Sequence, residues 1–307
     1  MAKGSPRILV ENMRQAVVGQ DRVLELVVTS LLAGGHVLLE DVPGVGKTLM
    51  AKSLAQSIAG VFRRVLFSSD LMPSDVTGTN VFNPQAGAFR FVPGPAFAHV
   101  LLADEINRAS PRAQASLLEA MEEGKVTVDG ESHSLPRPFF VIATQNPVEF
   151  HGTFPLPEAQ LDRFAVMLSL GYPSPEAERE LLAGHWARAE EADLAPVVTP
   201  EELMAWRSEV HAVRVDASLR DYMVRVANET RNHPQILLGL SPRGNLLWQR
   251  LAQAHAFLDG RAYVTPDDLR VLARAVLGHR LVLAGRPSRQ GRLALLDELL
   301  AGVPVPV

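Results

Sequence analysis

The chain has 307 residues and a mass of 33.4 kDa, enough for about two domains at ~150 residues each. A net charge of −4 with 47% apolar residues is typical of a globular protein and excludes a disordered chain. The acidic balance also disfavours a strongly basic surface for binding nucleic acid. Because the chain contains no cysteine, disulfides, zinc–thiolate sites, iron–sulfur clusters and thiolate catalysis are also excluded.

We expect no membrane or export signal from this sequence. No uncharged apolar run approaches the ~18 residues that cross a bilayer, and Met1 to Arg7 lacks the apolar core and cleavage site of a signal peptide. The nine histidines show no H-E-x-x-H or similar spacing, so no metal site beyond Mg²⁺ is expected. These features predict a cytoplasmic protein without a membrane span.

In chain order, short apolar runs alternate with helix-like stretches through the first half of the chain. One helix is predicted from Thr48 to Ala59 and another from Pro111 to Glu123, the second opening with Ser110-Pro111 as a helix start prefers. The apolar runs predict five strands of a buried parallel sheet, at 36–39, 61–67, 100–103, 139–143 and 164–168. This pattern indicates an α/β fold with ligand chemistry at the carboxyl ends of the strands.

Beyond residue 172 the strand-like runs give way to segments with helical spacing that continue to Leu300. We therefore predict two domains, 1–172 and 173–307, the second smaller and helical. Within it, Thr199-Pro200 and Thr265-Pro266 are each followed by two acids and predict helix starts.

A glycine-rich segment, Asp41-Val42-Pro43-Gly44-Val45-Gly46-Lys47-Thr48, follows the first predicted strand. Gly44 and Gly46 let backbone N–H groups surround phosphate oxygens, Lys47 reaches the β- and γ-phosphates, and Thr48 can hold Mg²⁺. Asp41 stands where the G-x-x-x-x-G-K-[ST] pattern has its first glycine, so the backbone at the start of this loop is expected to differ. Lysine is scarce in this chain, yet position 47 is lysine. The segment predicts a site for nucleotide phosphates.

Polar residues follow two more predicted strands. Asp104 and Glu105 directly follow the run 100–103. At this position Asp104 can reach the coordination shell of Mg²⁺, and Glu105 can position the attacking water. Asn146 protrudes beyond the run 139–143 and can orient water or sense the γ-phosphate, although an Asn-Pro turn explains it equally well. Together with the glycine-rich loop, these residues predict ATP hydrolysis.

Two arginines extend this charge set. Arg163 precedes the last predicted strand, and Arg243 opens a helix of the second domain. A transferring phosphoryl group needs positive charge, and an arginine supplied by a neighbouring molecule can accelerate hydrolysis by ~10³ or more. Pairing with surface acids is the alternative for both residues.

These residues resemble the MoxR family of AAA+ ATPases, and the similarity runs over nearly the whole chain. The resemblance rests on strings at 17–20, 39–48, 104–109, 143–147 and 155–164. It implies an AAA+ P-loop core with a five-stranded parallel sheet, a helical lid, and a ring, hexameric in the family, with ATP at the subunit interfaces. Asp41 is shared with loops of this family.

The resemblance also implies residue roles. Lys47 and Thr48 bind phosphate and Mg²⁺, Asp104 is the Walker B acid on the metal side, and Glu105 activates water. Asn146 matches sensor 1, Arg163 the arginine finger that reaches the neighbour's γ-phosphate, and Arg243 sensor 2, acting within its own subunit or across the interface; Arg108 is a weaker candidate for the finger. The nucleotide contacts implied in this way are Val18, Gly19, Pro43, Gly44, Val45, Gly46, Lys47, Thr48 and Leu49.

Two segments resemble insertions of this family. Residues 72–97 resemble the helix-2 insert, and residues 125–135 read as a hairpin with an Asp129-Gly130 turn. Both are expected to face the pore of a ring. Phe89 and Phe91 are then candidate substrate contacts, or they pack the insert onto the core.

The function implied by the resemblance is a chaperone-like ATPase that couples hydrolysis to remodelling, maturation or metal and cofactor insertion of partner proteins, with a von Willebrand factor A domain protein as partner. A DNA-acting motor is the alternative, which the acidic net charge and the lack of a dense basic cluster in either insertion disfavour. A scaffold that binds ATP with little turnover is a further alternative.

Overall fold

A computed structural model describes residues 4–147, 152–180, 182, 193–285 and 288–306 of the protein. The strands are β1 (Val37–Glu40), β2 (Phe62–Leu66), β3 (Gly78–Asn83), β4 (Ala88–Pro93), β5 (Val100–Asp104), β6 (Lys125–Val128), β7 (Glu131–Ser134), β8 (Phe140–Gln145), β9 (Val166–Leu168), β10 (Ile236–Leu238) and β11 (Val282–Leu283). The helices are α1 (Arg7–Arg14), α2 (Asp21–Leu32), α3 (Lys47–Ser57), α4 (Pro73–Thr77), α5 (Pro111–Glu123), α6 (Glu158–Leu161), α7 (Pro175–Glu180), α8 (Pro200–Ala212), α9 (Ala217–Asn232), α10 (Pro242–Leu258), α11 (Pro266–Leu277) and α12 (Arg289–Gly302).

The central sheet contains five parallel strands in the order β2-β5-β8-β1-β9. Each corresponds to one of the five predicted apolar runs, so the predicted α/β sheet is confirmed. The helix predicted from Pro111 to Glu123 has these bounds in the structure, and Ser110 caps it by accepting a hydrogen bond from the Ala113 N–H. Because the strands are parallel, all five carboxyl ends lie at one edge of the sheet and all five amino ends at the other.

Side chains of the central strands alternate between two apolar layers. On β1, Val37 and Leu39 join a cluster with α1, α2 and α3, whereas Leu38 joins a cluster with α5 on the opposite face. On β8, Ile142 and Val141 divide in the same way. Burial on both faces explains why these strands read as continuous apolar runs.

The second half of the described chain is helical apart from β10 and β11, which form a short antiparallel ladder that the sequence did not predict. Thr199 and Thr265 cap α8 and α11, as predicted. The predicted boundary near residue 172 falls between β9 and α7; the part of the predicted helical region at 183–192 lies outside the described residues. None of the described helices combines the length and apolar character that crossing a bilayer requires.

Partly buried polar contacts attach the helical half to the sheet. The Arg280 side chain is 1% exposed, and its Nε donates to Asp162 Oδ1 at 2.8 Å. Asp162 Oδ2 also accepts from Ser241 Oγ at 2.9 Å, and Ser241 is the residue that caps α10. The Nε of Arg207 on α8 donates to the Leu31 carbonyl at 2.8 Å. Asp162 therefore joins two elements of the helical half to the segment that precedes β9.

Two antiparallel hairpins extend from the core, within the segments predicted as insertions. The strands β3 and β4 pair from Gly78 to Pro93, and β6 and β7 pair around Asp129 and Gly130, both of which have positive φ as a tight two-residue turn requires. A hydrogen bond from Asn80 Nδ2 to Asp129 Oδ2 at 2.8 Å joins the two hairpins.

Candidate functional site

The glycine-rich loop connects the end of β1 to the start of α3. Gly44 and Gly46 have φ of 85° and 94°, and Gly46 directly precedes the first residue of α3. A Cβ at either position would meet open space, so it is the left-handed backbone that favours glycine here. The loop places free N–H groups at the positive end of the helix dipole, which is an anion-binding arrangement.

Lys47 is the first residue of α3 and closes the loop. Its Nζ donates to the carbonyl oxygens of Asp41 at 3.1 Å and Val42 at 3.2 Å. The ammonium group is thereby held inside the loop, where a phosphate oxygen can replace a carbonyl as its partner.

Asp41 explains the departure from the glycine pattern. Its buried carboxylate accepts hydrogen bonds from Ser169 Oγ at 2.7 Å, from Leu170 N at 2.8 Å and from Gly171 N at 3.0 Å. Asp41 is not among the residues with positive φ, so its backbone does not require glycine. The side chain instead ties the start of the loop to the segment between β9 and α7.

Asp104 ends β5 in a network of polar contacts. Thr144 Oγ1 donates to Asp104 Oδ1 at 2.6 Å, and Arg64 reaches Asp104 Oδ2 through Nη2 at 2.5 Å and Nε at 3.1 Å. Thr144 also accepts the Glu105 N–H at 2.9 Å. This threonine therefore fixes both acids at the carboxyl edge of the sheet.

Glu105 has a left-handed backbone, with φ 57° and ψ 46°. This conformation is uncommon for a residue other than glycine and is often found at functional sites. Its carboxylate lies 3.1 Å from the Nε of Arg108 in the same chain. The turn aims Glu105 away from the strand direction and into the same cavity as Lys47.

These groups line one cavity of about 590 Å³, within the ~300–1,000 Å³ of small-molecule sites. We call it the phosphate cavity. Of the predicted residues, it is lined by Pro43, Gly44, Gly46, Lys47, Thr48, Leu49, Asp104, Glu105 and Asn146. Sequence reasoning missed three further lining residues, Lys52, Arg64 and Thr144.

Three predicted nucleotide contacts are not among the residues that line this cavity. Val45 packs against the apolar cluster of α1 to α3. Gly19 lies beside α7, where an added Cβ would approach the Cβ of Ala177 to 2.9 Å, and Val18 precedes it. A nucleotide contact from Val18, Gly19 or Val45 therefore stays a prediction.

Arg163 and Arg243 line a second cavity, of about 400 Å³, which we call the arginine cavity. The two carboxylate oxygens of Glu122, near the end of α5, each contact one arginine. Arg163 Nη1 lies 3.2 Å from Oε2, and Arg243 Nη1 donates to Oε1 at 2.7 Å. Both predicted arginines thus meet in one place, although they come from different halves of the chain.

The two cavities lie at opposite edges of the sheet. His36 precedes β1 and lines the arginine cavity, whereas the glycine-rich loop follows β1 and lines the phosphate cavity. A four-residue strand spans ~13 Å. Neither Arg163 nor Arg243 is therefore among the residues that line the phosphate cavity of its own chain.

His36 contributes no charge to the arginine cavity near neutral pH. Its Nδ1 accepts the Val141 N–H at 3.0 Å, and its other ring nitrogen lies 3.1 Å from the Met121 carbonyl. Burial lowers the pKa of His36 to about 4, and the charges of Arg207 and Arg243 act in the same direction. The positive charge of the cavity comes from its arginines.

The two phenylalanines of the β3–β4 hairpin have different environments. Phe89 is 72% exposed and contacts Phe82 edge to face, with ring centroids 5.4 Å apart. Phe91 stacks on His133 of β7 at 3.8 Å and contacts Phe97. Phe91 therefore joins the two hairpins, and Phe89 is the one presented to solvent.

His255, Asp259 and Asp268 also lie together, with ligand atoms within 4.8 Å of one another. Arg261 already pairs with both acids, through contacts of 3.1 Å and 2.6 Å. Burial alone raises the pKa of Asp268, but hydrogen bonds from Arg261 and His255 outweigh it and hold that pKa below its usual range. We interpret this cluster as an ion-pair network at the start of α11.

Comparisons with known proteins agree with this architecture. The family model "ATPase family associated with various cellular activities" matches residues 36–166, and an AAA lid domain model matches residues 228–299. The uncharacterised protein YeaC of Bacillus subtilis is 48% identical over 97% of this chain and 94% of its own. Chaperone MoxR1 of Mycobacterium tuberculosis is 40% identical over 88% of this chain and 74% of its own. A crystal structure classed as an ATPase, from Cytophaga hutchinsonii, has a TM-score of 0.88 and 34% identity and covers 98% of this chain and 94% of that one.

Proposed function

Because the chain belongs to the MoxR family of AAA+ ATPases, we propose that it hydrolyses Mg²⁺-ATP at a site completed by a neighbouring copy in a ring. One observation carries this proposal. The phosphate cavity and the arginine cavity lie at opposite edges of the same sheet, so a site that contains both needs two chains. A head-to-tail contact closes into a ring when the rotation between neighbours permits it, and we propose the hexamer of the family.

The phosphate cavity fits Mg²⁺-ATP. Its loop offers backbone N–H groups and Lys47 to phosphate oxygens, and Thr48 and Asp104 supply the oxygen donors that Mg²⁺ prefers. Bound there, Mg²⁺ would neutralise charge on the phosphates as a Lewis acid. Arg64 now occupies Asp104 Oδ2, so this ion pair has to loosen, or a water has to mediate the contact with the metal.

Within the same cavity, Glu105 is the group that takes the proton of the attacking water. Its left-handed backbone and the hydrogen bond from its N–H to Thr144 hold it at the edge of the sheet. Arg108 now pairs with its carboxylate and has to release it before water is activated. Asn146 follows the same strand as Thr144 and orients the water or contacts the γ-phosphate.

The neighbouring chain supplies Arg163 and Arg243. Both guanidinium groups stabilise the charge that develops on the transferred phosphoryl group, so hydrolysis depends on assembly. This assigns sensor 2 to the interface, because Arg243 lies at the edge of the sheet opposite to its own Lys47.

Hydrolysis is coupled to work on partner proteins. MoxR1 is named a chaperone, and we extend that role to this chain, with maturation or metal and cofactor insertion in a cytoplasmic client and a von Willebrand factor A domain protein as partner. Exposed Phe82 and Phe89 at the β3–β4 hairpin are suited to contact an unfolded or extended client. Arg90 and Lys125 are the basic residues of the two hairpins, which does not favour a DNA motor.

Mixing two inactive variants tests the shared site. Lys47→Ala lacks the lysine that binds phosphate but keeps both arginines. Arg163→Ala keeps the phosphate cavity intact but lacks the proposed arginine finger. Each variant alone is expected to show no ATP turnover. An equal mixture should recover about a quarter of the unmodified rate, because about a quarter of randomly formed interfaces combine an intact phosphate cavity with an intact Arg163. A mixture without turnover, from variants that still assemble, would contradict the proposal.

A further inference from the structure

We propose that Glu122 is a positioning residue that holds Arg163 and Arg243 side by side for delivery to the neighbouring chain's nucleotide. The inference rests on the proposed shared site and deepens it. Its observation is geometric: one carboxylate contacts both arginines, one through each oxygen, at 3.2 Å and 2.7 Å. The three side chains come from α5, the segment before β9, and α10, so no single element could align them.

Charge explains why the arginines need such a residue. Two guanidinium groups in one cavity repel each other, and Arg250 on α10 adds a third positive charge to the same lining. Glu119 and Glu123, its neighbours on α5, line a smaller cavity together with Arg163 and Glu122, but of the three glutamates Glu122 is the one that also lines the arginine cavity with Arg243. Without the Glu122 carboxylate, the two arginines would separate.

The contacts leave the arginines able to bind a phosphate. Each reaches Glu122 through Nη1 alone, and among the described residues neither side chain makes a further hydrogen bond or ion pair. The remaining N–H donors are free for phosphate oxygens. One carboxylate against two guanidinium groups also leaves a net positive charge at the cavity.

A purely structural role for Glu122 is not needed to attach the two halves of the chain. The partly buried contacts of Asp162 with Arg280 and Ser241 already join them beside Arg163. The side chains of Glu122, Arg163 and Arg243 are 42%, 31% and 42% exposed, and exposed ion pairs contribute little to stability. Removing the Glu122 charge is therefore expected to leave the fold intact.

The test places Glu122→Gln in one or the other partner of the Lys47→Ala and Arg163→Ala mixture. In the Lys47→Ala chain, which donates the arginines, we expect kcat to fall about tenfold or more because the arginines are misplaced. The KM for ATP should change little, because the acceptor's phosphate cavity is intact. In the Arg163→Ala chain, the same substitution should cost at least about fivefold less, since the finger is already absent. Glu122→Asp in the donor should recover part of the lost rate.

Glu123→Gln in the donor is the matched control, because Glu123 is adjacent in sequence and pairs with Lys125 instead. It should retain the rate of the parent mixture. An undiminished rate with Glu122→Gln in the donor would overturn the role of Glu122 while leaving the shared site standing. Equal losses in donor and acceptor would also overturn it, because they would indicate a general structural defect. No ATP turnover in the parent mixture of Lys47→Ala and Arg163→Ala would instead overturn the shared site, and the role of Glu122 with it.

Discussion

The phosphate cavity and the arginine cavity differ in how they are built. The phosphate cavity consists largely of backbone and strand ends, with buried Asp41 and Asp104 each accepting three hydrogen bonds. The arginine cavity consists of long, partly exposed side chains that converge on Glu122. The first offers fixed donors and acceptors, and the second offers the positive charge of partly exposed guanidinium groups. This difference is consistent with our proposal that a single subunit carries halves of two different sites.

The largest expected effect concerns catalysis in the phosphate cavity. Glu105→Gln keeps the shape of the side chain but removes the base, so we expect ATP turnover to fall by ~10²–10⁴. Binding of a fluorescent ATP analogue should persist, because Lys47 and the loop are unchanged. Glu209→Gln, at an exposed position on α8, serves as control. Turnover within twofold of the unmodified chain would place the base elsewhere.

A second prediction asks which nucleotide Arg243 serves. Arg243→Ala should lower turnover of the assembled protein by about 10², as expected for loss of one donor to a developing charge. In dilute, unassembled chains, the affinity for the ATP analogue should stay that of the parent, because Arg243 lies at the far edge of the sheet. Arg225→Ala, exposed on α9, is the matched control. A loss of affinity in dilute chains would show that Arg243 acts within its own subunit.

A third prediction concerns the contribution of the buried Asp41 carboxylate to stability. Asp41→Ala removes the acceptor of three hydrogen bonds, donated by the Ser169 hydroxyl and by the N–H groups of Leu170 and Gly171. We therefore expect the free energy of unfolding to fall by about 3 kcal/mol. Asp221→Ala, exposed on α9, should change it by less than about 0.5 kcal/mol. Chemical denaturation measures both. An Asp41→Ala chain as stable as the parent would mean that this carboxylate does not support the loop.

The smallest effect is a pH dependence that originates beside the arginine cavity. His36 has a pKa of about 4 in the folded chain, against 6.5 for an ordinary histidine. As the pH falls below about 6.5, His36 is protonated in the unfolded chain but stays neutral in the folded chain. The free energy of unfolding therefore decreases down to about pH 4. Between pH 7 and pH 5 the loss attributable to His36 is about 2 kcal/mol.

Urea unfolding at a series of pH values tests this prediction. His36→Gln should flatten the dependence on pH, leaving the contribution of buried His279, whose pKa is also lowered, first by burial and then by Arg280. His211→Gln, at an exposed position on α8, is the matched control. An unaltered slope in His36→Gln would contradict a buried, neutral His36.

Sequence reasoning found the parts that local chemistry determines. The strands β1, β5, β8 and β9 are largely apolar and buried, which makes them recognisable as runs. The spacing of Gly46, Lys47 and Thr48 after β1 predicts a phosphate loop. Thr144 and Arg64 were missed, since a threonine and an arginine in strands carry no distinguishing pattern. Glu122 was missed for a different reason: α5 carries three glutamates near its end, and only tertiary packing determines that Glu122 contacts both Arg163 and Arg243.

The remaining features could not be predicted because they involve very short strands or depend on tertiary packing. The strands β10 and β11 have three and two residues, too few for a period of two to be recognised. The contrast between Phe89 and Phe91 depends on which hairpin neighbours which, because Phe91 is held by His133 from another hairpin. Placement of Arg243 required the packing of α10, which its sequence does not encode locally.

Steady-state ATP turnover per subunit, measured across a range of protein concentrations, tests the shared site most directly. The unmodified chain is compared with Arg163→Ala, and Lys47→Ala serves as the blank. We predict that specific activity rises with concentration as subunits assemble, and that Arg163→Ala abolishes it while still binding ATP. Specific activity that is independent of concentration down to the dilution where single chains predominate, or full turnover by Arg163→Ala, would contradict a site divided between two chains.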